Sequence, residues 1–267
     1  MRLPNTEHPS NISYPQTIDE LKRRKEEDPR FELKELSINE MTMDEVADML
    51  SPILDALDSA NVPWCFHGMF GVLLQRLVGN ENVEVGFVTH DVDIMIPVDQ
   101  MDIVSKALEF CLIRPVREDT ESERQQSEFG KVYESVGYSS YVVQRKDENG
   151  ENKWYKVGDI TARTSMYLST QPEYMNDQYK VLLGDLSEDG ETISTDLGHS
   201  DENKPSRQMV KLDELDFGSR KVKVMPAFIV YLKHLIDERR LNDLEGQPKI
   251  YAMRQMANSM RPTRENS

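Results

Sequence analysis

The sequence predicts an α+β fold, with helices and strands alternating in the first half and hairpins following in the second. Between Val46 and Leu57, apolar residues recur at spacings of three and four, which is typical of a helix with one buried face. Residues 62–68 form a short apolar run that ends in glycine and precedes a second stretch of helical spacing. Further along, Asn149 and Gly150 separate two segments rich in β-forming residues, which indicates a hairpin.

Three parts are expected along the chain. Residues 1–36 are polar and contain several prolines, which predicts a flexible arm with one short helix at 17–27. The main domain should span 37–245. Residues 246–267 should form a C-terminal helix and a polar tail.

The first half of the main domain should begin with the helix described above, capped by Asn39 or Thr42. After the strand that ends in glycine and its helix, residues 89–96 alternate polar and apolar side chains and predict a second strand. Pro97 should close this strand, and the spacing over 99–110 predicts an amphipathic helix.

The second half is expected to be richer in strands. Residues 139–145 and 153–160 should pair as the hairpin around the Asn-Gly turn. Residues 184–208 are rich in Asp, Glu, Ser, Thr and Gly, which predicts an acidic surface loop. A second hairpin is predicted over 209–225, and a helix over 227–241.

Composition excludes some classes of partner. The net charge of −16 over 267 residues disfavours non-specific attraction to a long nucleic acid or an anionic membrane. Cys65 and Cys111 lie in apolar runs without metal-ligand spacing, which favours a reducing compartment. Because no apolar stretch approaches the length of a membrane span, we expect a soluble cytoplasmic protein.

The clearest chemical feature is the pair Asp91 and Asp93 within the predicted strand 89–96. Residues two apart on a strand face the same side, so both carboxylates could hold one hard cation such as Mg²⁺. The alternative is a solvated strand end. His67 and His90 flank the pair, but no Cys or further His has zinc-ligand spacing with them, which disfavours a zinc site.

The order of these elements resembles the polymerase-β-like nucleotidyltransferase superfamily: a strand ending in glycine, a helix, then a strand carrying Asp-hydrophobic-Asp. Within it, Arg76 followed by Thr89 to Ile94 is similar to the motif of small bacterial nucleotidyltransferases, which include AbiEii-type toxins and aminoglycoside-modifying enzymes. The resemblance covers about residues 44–110. It implies a mixed sheet backed by helices, with inserted hairpins and a helical C-terminal segment.

A second region of resemblance lies toward the C-terminus. Residues 222–226 followed by Lys233 are similar to the family's strand and lysine-bearing helix. Arg240 and Asp243 match a later Arg-x-x-Asp.

The resemblance implies nucleotide contacts at Gly68, Met69, Arg76 and Lys233. The family's glycine turn contacts phosphates through backbone amides at a helix N-terminus. That turn usually reads Gly-Gly or Gly-Ser, whereas Met69 follows Gly68 here, so the expected hydroxyl is missing.

The resemblance also implies a third carboxylate on a neighbouring strand, which completes the catalytic and metal set with Asp91 and Asp93. Asp159 fits best because it lies among β-forming residues, and Asp213 and Asp216 are alternatives. The implied cofactor is Mg²⁺ or Mn²⁺, with two ions about 3.5–4 Å apart.

The implied reaction transfers a nucleoside monophosphate from an NTP to a hydroxyl group. The acidic charge favours a small-molecule or protein acceptor, with tRNA also possible. Two other hypotheses stay open. One is an inactive nucleotide-binding or regulatory module with the same fold, and the other is a scaffold that uses the acidic segment as an interaction surface.

Overall fold

The computed structural model describes residues 14–28, 31–38, 41–79, 89, 91–117, 125–126, 132–168, 179–196, 207–227 and 229–230. Helices and strands are mixed as predicted, so the α+β class is confirmed. The helices are α1 (Ile18–Glu27), α2 (Met43–Ser59), α3 (Gly68–Gly79) and α4 (Met101–Ala107). The strands are β1 (Lys34–Glu35), β2 (Cys65–His67), β3 (Asp93–Met95), β4 (Gln125–Gln126), β5 (Val132–Val136), β6 (Ser139–Lys146), β7 (Asn152–Thr161), β8 (Arg163–Leu168), β9 (Tyr179–Leu186), β10 (Thr192–Asp196), β11 (Arg207–Lys211), β12 (Asp213–Phe217) and β13 (Arg220–Val224).

A seven-stranded mixed sheet forms the centre of the fold. Its order is β1-β7-β3-β2-β13-β12, with β6 paired to the opposite edge of β7. Strands β1 and β3 run parallel to β7, and β13 runs parallel to β2, while the other pairs are antiparallel. Helices α2 and α3 pack on this sheet through β2 and β12. The mixed sheet backed by helices is therefore present as expected.

The starts of the first two helices are encoded locally. The Thr42 hydroxyl accepts a hydrogen bond from the Glu45 amide at 3.2 Å, and the Glu45 carboxylate accepts one from the Thr42 amide at 2.8 Å. Thr17 and Glu20 form the same reciprocal pair at the start of α1. Such a capping box satisfies amides that the first helical turn leaves without partners. The predicted starts of both helices are thus confirmed, with Thr42 as the cap of α2.

The described part of the N-terminal arm is folded against the sheet. Leu21 of α1 is buried with Val142 and Trp154 in a small core beside the hairpin β6–β7. The Tyr14 hydroxyl also donates a hydrogen bond to the Trp154 carbonyl at 3.1 Å. Residues 14–28 and 31–36 therefore belong to the folded structure, although their polar composition predicts a flexible arm.

Aromatic side chains occupy the middle of the main core. The Phe66 ring lies 5.1 Å from Phe70 and 5.4 Å from Phe217 between centroids, edge to face in both cases. Such pairs stabilise the folded state by about 0.5–1.5 kcal/mol beyond the contribution of the area that they bury.

The two cysteines, Cys65 and Cys111, are also buried, and neither forms a disulfide. Among the described helices, none is long and apolar enough to cross a membrane.

A second sheet was not predicted. Six strands pair in the order β11-β10-β9-β8-β5-β4, all antiparallel. Strands occupy residues 184–186 and 192–196, where the composition predicts a surface loop, and 197–206 lie outside the described residues. Within this polar segment Leu186, Ile193 and Thr195 are buried. A few inward-facing side chains therefore pack these strands against the rest of the protein.

Two predicted elements of the first half are shorter in the structure. The strand expected over 89–96 is reduced to β3, which begins at Asp93. The helix expected over 99–110 is a 3₁₀ turn, Val98–Gln100, followed by α4, and Ile103 on its predicted apolar stripe is 44% exposed.

The hairpins agree more closely with the sequence. Strands β6 and β7 pair around the predicted Asn-Gly turn, where Gly150 has a φ of 77°. Within 209–225, β12 and β13 form the predicted hairpin, while β11 joins the second sheet. Only residues 227, 229 and 230 of the predicted helix 227–241 are described, and 246–267 lie outside the described residues.

Candidate functional site

Asp93 lies directly against the glycine that starts α3. Antiparallel pairing of β2 with β3 sets His67 opposite Asp93, and Gly68 follows with a φ of 66°. A Cβ atom on Gly68 would lie only 2.9 Å from Asp93 Oδ2. Glycine is therefore favoured at residue 68 for two reasons. Its positive φ is unfavourable for other residues, and the Asp93 carboxylate leaves no room for a side chain. The positive end of the α3 dipole also favours a negative charge at this point.

Asp159 lies on the neighbouring parallel strand, level with Asp93. Ile94 of β3 and Ile160 of β7 are register partners, and Asp93 and Asp159 each precede that pair by one residue. Residues in register on parallel strands face the same side, and adjacent strands are about 4.8 Å apart. Asp159 thus lies beside Asp93, where the third carboxylate was expected.

An irregularity in β7 determines what Asp159 contacts. Tyr141 of β6 pairs with Gly158 and Val142 pairs with Lys156, which leaves Val157 as an extra residue. Residues three apart on a regular strand face opposite sides, but a bulge of this kind re-aims the side chains that flank it. Lys156 and Asp159 consequently meet on one side of the sheet.

Both oxygens of the Asp159 carboxylate have partners. The Ser140 hydroxyl donates a hydrogen bond to Oδ1 at 2.7 Å. The Lys156 ammonium donates to Oδ2 at 3.1 Å and forms an ion pair with it. The side chains of Lys156 and Asp159 are 23% and 13% exposed, so this pair is shielded from solvent much more than a surface ion pair.

Val92, the residue between the two aspartates, forms hydrogen bonds with both β6 and β7. Its amide donates a hydrogen bond to the Val157 carbonyl at 2.8 Å, and its carbonyl accepts one from the Tyr141 hydroxyl at 2.5 Å. A Cβ atom at residue 158 would lie 1.9 Å from that carbonyl oxygen, so only Gly158 allows β7 to approach this closely. The bulge therefore fixes the main chain that carries the carboxylates.

The carboxylates of the site influence the pKa values of Tyr141 and Lys156, which lie next to them. Burial raises the pKa of Tyr141 well above its ordinary value, and the carboxylates Asp93, Asp159 and Asp91 raise it further. Burial alone would lower the pKa of Lys156, but Asp159 and other neighbours outweigh it, and the net pKa is raised. Tyr141 is therefore neutral and Lys156 is positively charged near pH 7.

Asp91 lies outside the strand, which corrects the expectation that both aspartates share one regular strand. It is exposed, and Thr89, itself buried, donates a hydrogen bond to its carbonyl at 3.1 Å. Pairing of β3 starts at Asp93, because β2 ends at the facing residue His67. The regular alternation of strand side chains therefore begins at Asp93, and Asp91 precedes it.

The residues present fit one magnesium ion better than a three-carboxylate cluster. In the part of the chain that the structure describes, no three His, Cys, Asp or Glu side chains converge on a point that could hold a metal. Mg²⁺ usually relies on one or two carboxylates and keeps waters or binds substrate phosphates. Asp91 and Asp93 could supply those carboxylates. A metal-ligand role for Asp159 stays a prediction.

The alternative third carboxylates lie elsewhere in the sheet. Asp213 and Asp216 belong to β12, the edge strand that β13 and β2 separate from β3. The Asp216 carboxylate forms an ion pair with Lys221 at 2.7 Å. The topology therefore favours Asp159 as the neighbour of Asp93.

The predicted nucleotide-contacting residues are described to different extents. The Met69 side chain is 7% exposed and packs in the main core, so only its backbone amide can face a ligand. Arg76 lies in α3, with its side chain outside the described part of the structure. His90 and Lys233 also lie outside the described residues.

Gln75 is a positioning residue that the sequence did not single out. Its Nε2 donates a hydrogen bond to the Met225 carbonyl at 2.7 Å, and its Oε1 accepts one from the Ala227 amide at 3.0 Å. These bonds tie α3 to the start of the helical segment predicted to carry Lys233. The only signal in the sequence is that Gln75, next to Arg76, interrupts the otherwise apolar run 72–78.

No protein-family model matches the sequence, and no curated protein is significantly similar to it. Two solved structures are similar. One is TM1012 of Thermotoga maritima, provisionally assigned as a nucleotidyltransferase, with 14% identity, a TM-score of 0.38 and coverage of 82% of this chain and 96% of that one. The other is the antibiotic-resistance factor ANT(2'')-Ia, with 9% identity, a TM-score of 0.37 and coverage of 82% and 85%. A likeness of this extent assigns no activity.

Proposed function

We propose that this chain is a metal-dependent nucleotidyltransferase. The hydroxyl oxygen of an acceptor attacks the α-phosphorus of an NTP, the bond to the β-phosphate breaks, and pyrophosphate leaves. One observation carries the proposal: the Asp93 carboxylate lies over Gly68 at the N-terminus of α3. Asp159 lies level with it on the next strand. A helix N-terminus offers amide donors to phosphate, and adjacent carboxylates offer oxygen ligands to a cation that accompanies phosphate.

Each residue has a separate task in this proposal. The amides that follow Gly68 bind phosphate oxygens, with Arg76 and Lys233 as further cationic contacts. Asp91 and Asp93 would hold Mg²⁺ or Mn²⁺, which would offset charge on the triphosphate when bound. Asp159 accepts the proton of the attacking hydroxyl from its place beside Asp93. Ser140 and Lys156 keep its carboxylate oriented for this.

The acceptor is proposed on charge alone. A net charge of −16 disfavours a long polyanion and favours a small molecule or a protein. Transfer to a tRNA end would require a local basic surface. The cytoplasmic location stays a prediction.

A second candidate is a nucleotide-binding module without turnover. Two observations favour it. The Met69 side chain is buried where the resemblance expects a phosphate-binding hydroxyl, and the Asp159 carboxylate already has two partners. Binding and turnover therefore have to be measured separately.

The binding experiment uses calorimetric titration of ATP, GTP, CTP and UTP, each with and without Mg²⁺. We expect at least one nucleotide to bind only with Mg²⁺, and Asp91→Ala or Asp93→Ala to weaken that binding at least about tenfold. Glu148→Ala is the matched control, because it removes one exposed carboxylate at the tip of the β6–β7 hairpin. If the wild type and the three variants all bind the nucleotide equally well in the presence of Mg²⁺, the proposed site is wrong.

The turnover experiment follows the α-phosphate. Each NTP labelled with ³²P at the α-phosphate is incubated with the protein and with separate pools of small molecules, proteins and tRNA. Transfer of label to one pool, lost in Asp93→Ala, supports the enzyme. Mg²⁺-dependent binding without transfer to any pool supports the binding module.

A further inference from the structure

We propose that Lys156 is a built-in counter-ion for Asp159, so that the site takes one divalent cation at Asp91 and Asp93 instead of two. This inference rests on the proposed function, because it concerns the same carboxylates. It departs from the two-ion arrangement that the family resemblance implies.

The bulge in β7 brings Lys156 and Asp159 together. Without the extra residue Val157, Lys156 and Asp159 would face opposite sides of the sheet. With it, the ammonium nitrogen lies 3.1 Å from Asp159 Oδ2. The bulge is fixed in turn by Val92, whose amide bonds to the Val157 carbonyl at 2.8 Å. Hence the lysine is placed by the same contact that places the strand of the aspartates.

Coordination of a cation by Asp159 would have to compete with the contacts that its carboxylate already makes. One carboxylate oxygen accepts a hydrogen bond from Ser140 and the other is paired with Lys156. Both members of the ion pair are mostly buried, so water cannot readily replace either partner. A divalent cation at Oδ2 would also lie next to an ammonium group, which repels it.

Lys156 reduces the negative charge that the three aspartates offer to metal ions. Asp91, Asp93 and Asp159 together carry three negative charges when ionised, and Lys156 carries one positive charge. Replacing the lysine with a neutral side chain would leave minus three and would free Asp159 Oδ2 for a metal.

The test counts bound Mn²⁺, using the loss of the free Mn²⁺ signal in electron paramagnetic resonance and no nucleotide. The wild type should bind one Mn²⁺ per chain. Lys156→Met should bind a second ion, or bind the first about tenfold or more tightly, because one nearby positive charge is gone. Lys156→Arg should behave as the wild type. Lys153→Met, which removes another paired lysine of β7 near the hairpin turn, should also bind as the wild type.

A double variant shows where the second ion binds. Lys156→Met combined with Asp159→Asn should return to one Mn²⁺ with wild-type affinity. Lys156→Gln is a second neutral variant, in case Lys156→Met does not fold. The inference is overturned if the wild type binds two ions, or if whichever neutral variant folds binds one ion with unchanged affinity.

Failure of the proposed function has a different signature. If Asp93→Ala binds Mn²⁺ as the wild type does, or if the wild type binds none, the carboxylate site itself is wrong. If Asp93→Ala loses the ion and the neutral lysine variants behave as the wild type, only the role of Lys156 is wrong.

Discussion

Gly158→Ala tests the contact between the bulge and the strand of the aspartates. The new Cβ atom would lie 1.9 Å from the Val92 carbonyl oxygen, where real Cβ contacts are almost never under 3.0 Å. The two strands must therefore separate by about 1 Å or more at this point. The obstruction is backbone on both sides, so no flexible side chain can absorb it.

The expected cost combines crowding with broken hydrogen bonds. Overpacking of a dense interior costs about 1–3 kcal/mol. Separation also weakens the bonds of Val92 to Val157 and Tyr141, at about 0.5–1.5 kcal/mol each. The free energy of unfolding should fall by about 2–6 kcal/mol, a large share of the roughly 5–15 kcal/mol that stabilises a typical domain.

Urea denaturation followed by circular dichroism measures this change. Gly150→Ala is the control, because Gly150 has a φ of 77° and no atom within 4 Å of the added Cβ. It should cost about 1–2 kcal/mol from backbone strain alone. If Gly158→Ala lowers the free energy of unfolding no more than Gly150→Ala does, β7 does not approach Val92 as described.

Two further predictions concern buried polar groups. Gln75→Leu should lower the free energy of unfolding by about 2–4 kcal/mol, because the buried Met225 carbonyl and Ala227 amide lose their partner, and Gln75→Glu should restore at most one bond. Urea midpoints of both variants check this, and an unchanged midpoint for Gln75→Leu would contradict it. Burial raises the pKa of Cys65 and Cys111 to about 12, so the stability linked to these thiols is fully present below pH 9 and is lost as pH rises toward 12. Above pH 9 stability should fall by about 1.4 kcal/mol per pH unit for each thiol, and a variant with both cysteines replaced by alanine should lack this slope.

The sequence was most informative where the signal is local. Thr42 with Glu45, and Thr17 with Glu20, mark helix starts through hydrogen bonds within one turn, so they could be identified without the fold. Gly150 marks its hairpin for the same reason, because a turn depends on its own few residues.

Two features of the sheets could not be predicted. Strands β9 and β10 pair as a local hairpin, but the buried positions of 184–186 and 192–196 include Gly184 and Thr195, which give no apolar alternation in the sequence. Their other partners, β8 and β11, lie further away along the chain. Asp91 was assigned to a strand, but strand length depends on where its partner β2 ends.

At the site, Asp93, Gly68 and Asp159 could be singled out by motif and resemblance. Lys156 could not, because its place depends on a one-residue offset between β6 and β7. Alternation along β7 would set it on the opposite side of the sheet from Asp159. An offset of this kind becomes visible only when both strands are seen together.

The short strand β1 makes the N-terminal segment part of the site's support. Glu35 is the register partner of Lys156, and the Leu36 amide donates a hydrogen bond to the Lys156 carbonyl at 3.0 Å. A shortened version of the protein that starts at α2, chosen because the first 36 residues are polar, would expose the edge of β7 where Lys156 sits. Expression and crystallisation work should therefore retain residues 14–38, even though their composition suggests that they are dispensable.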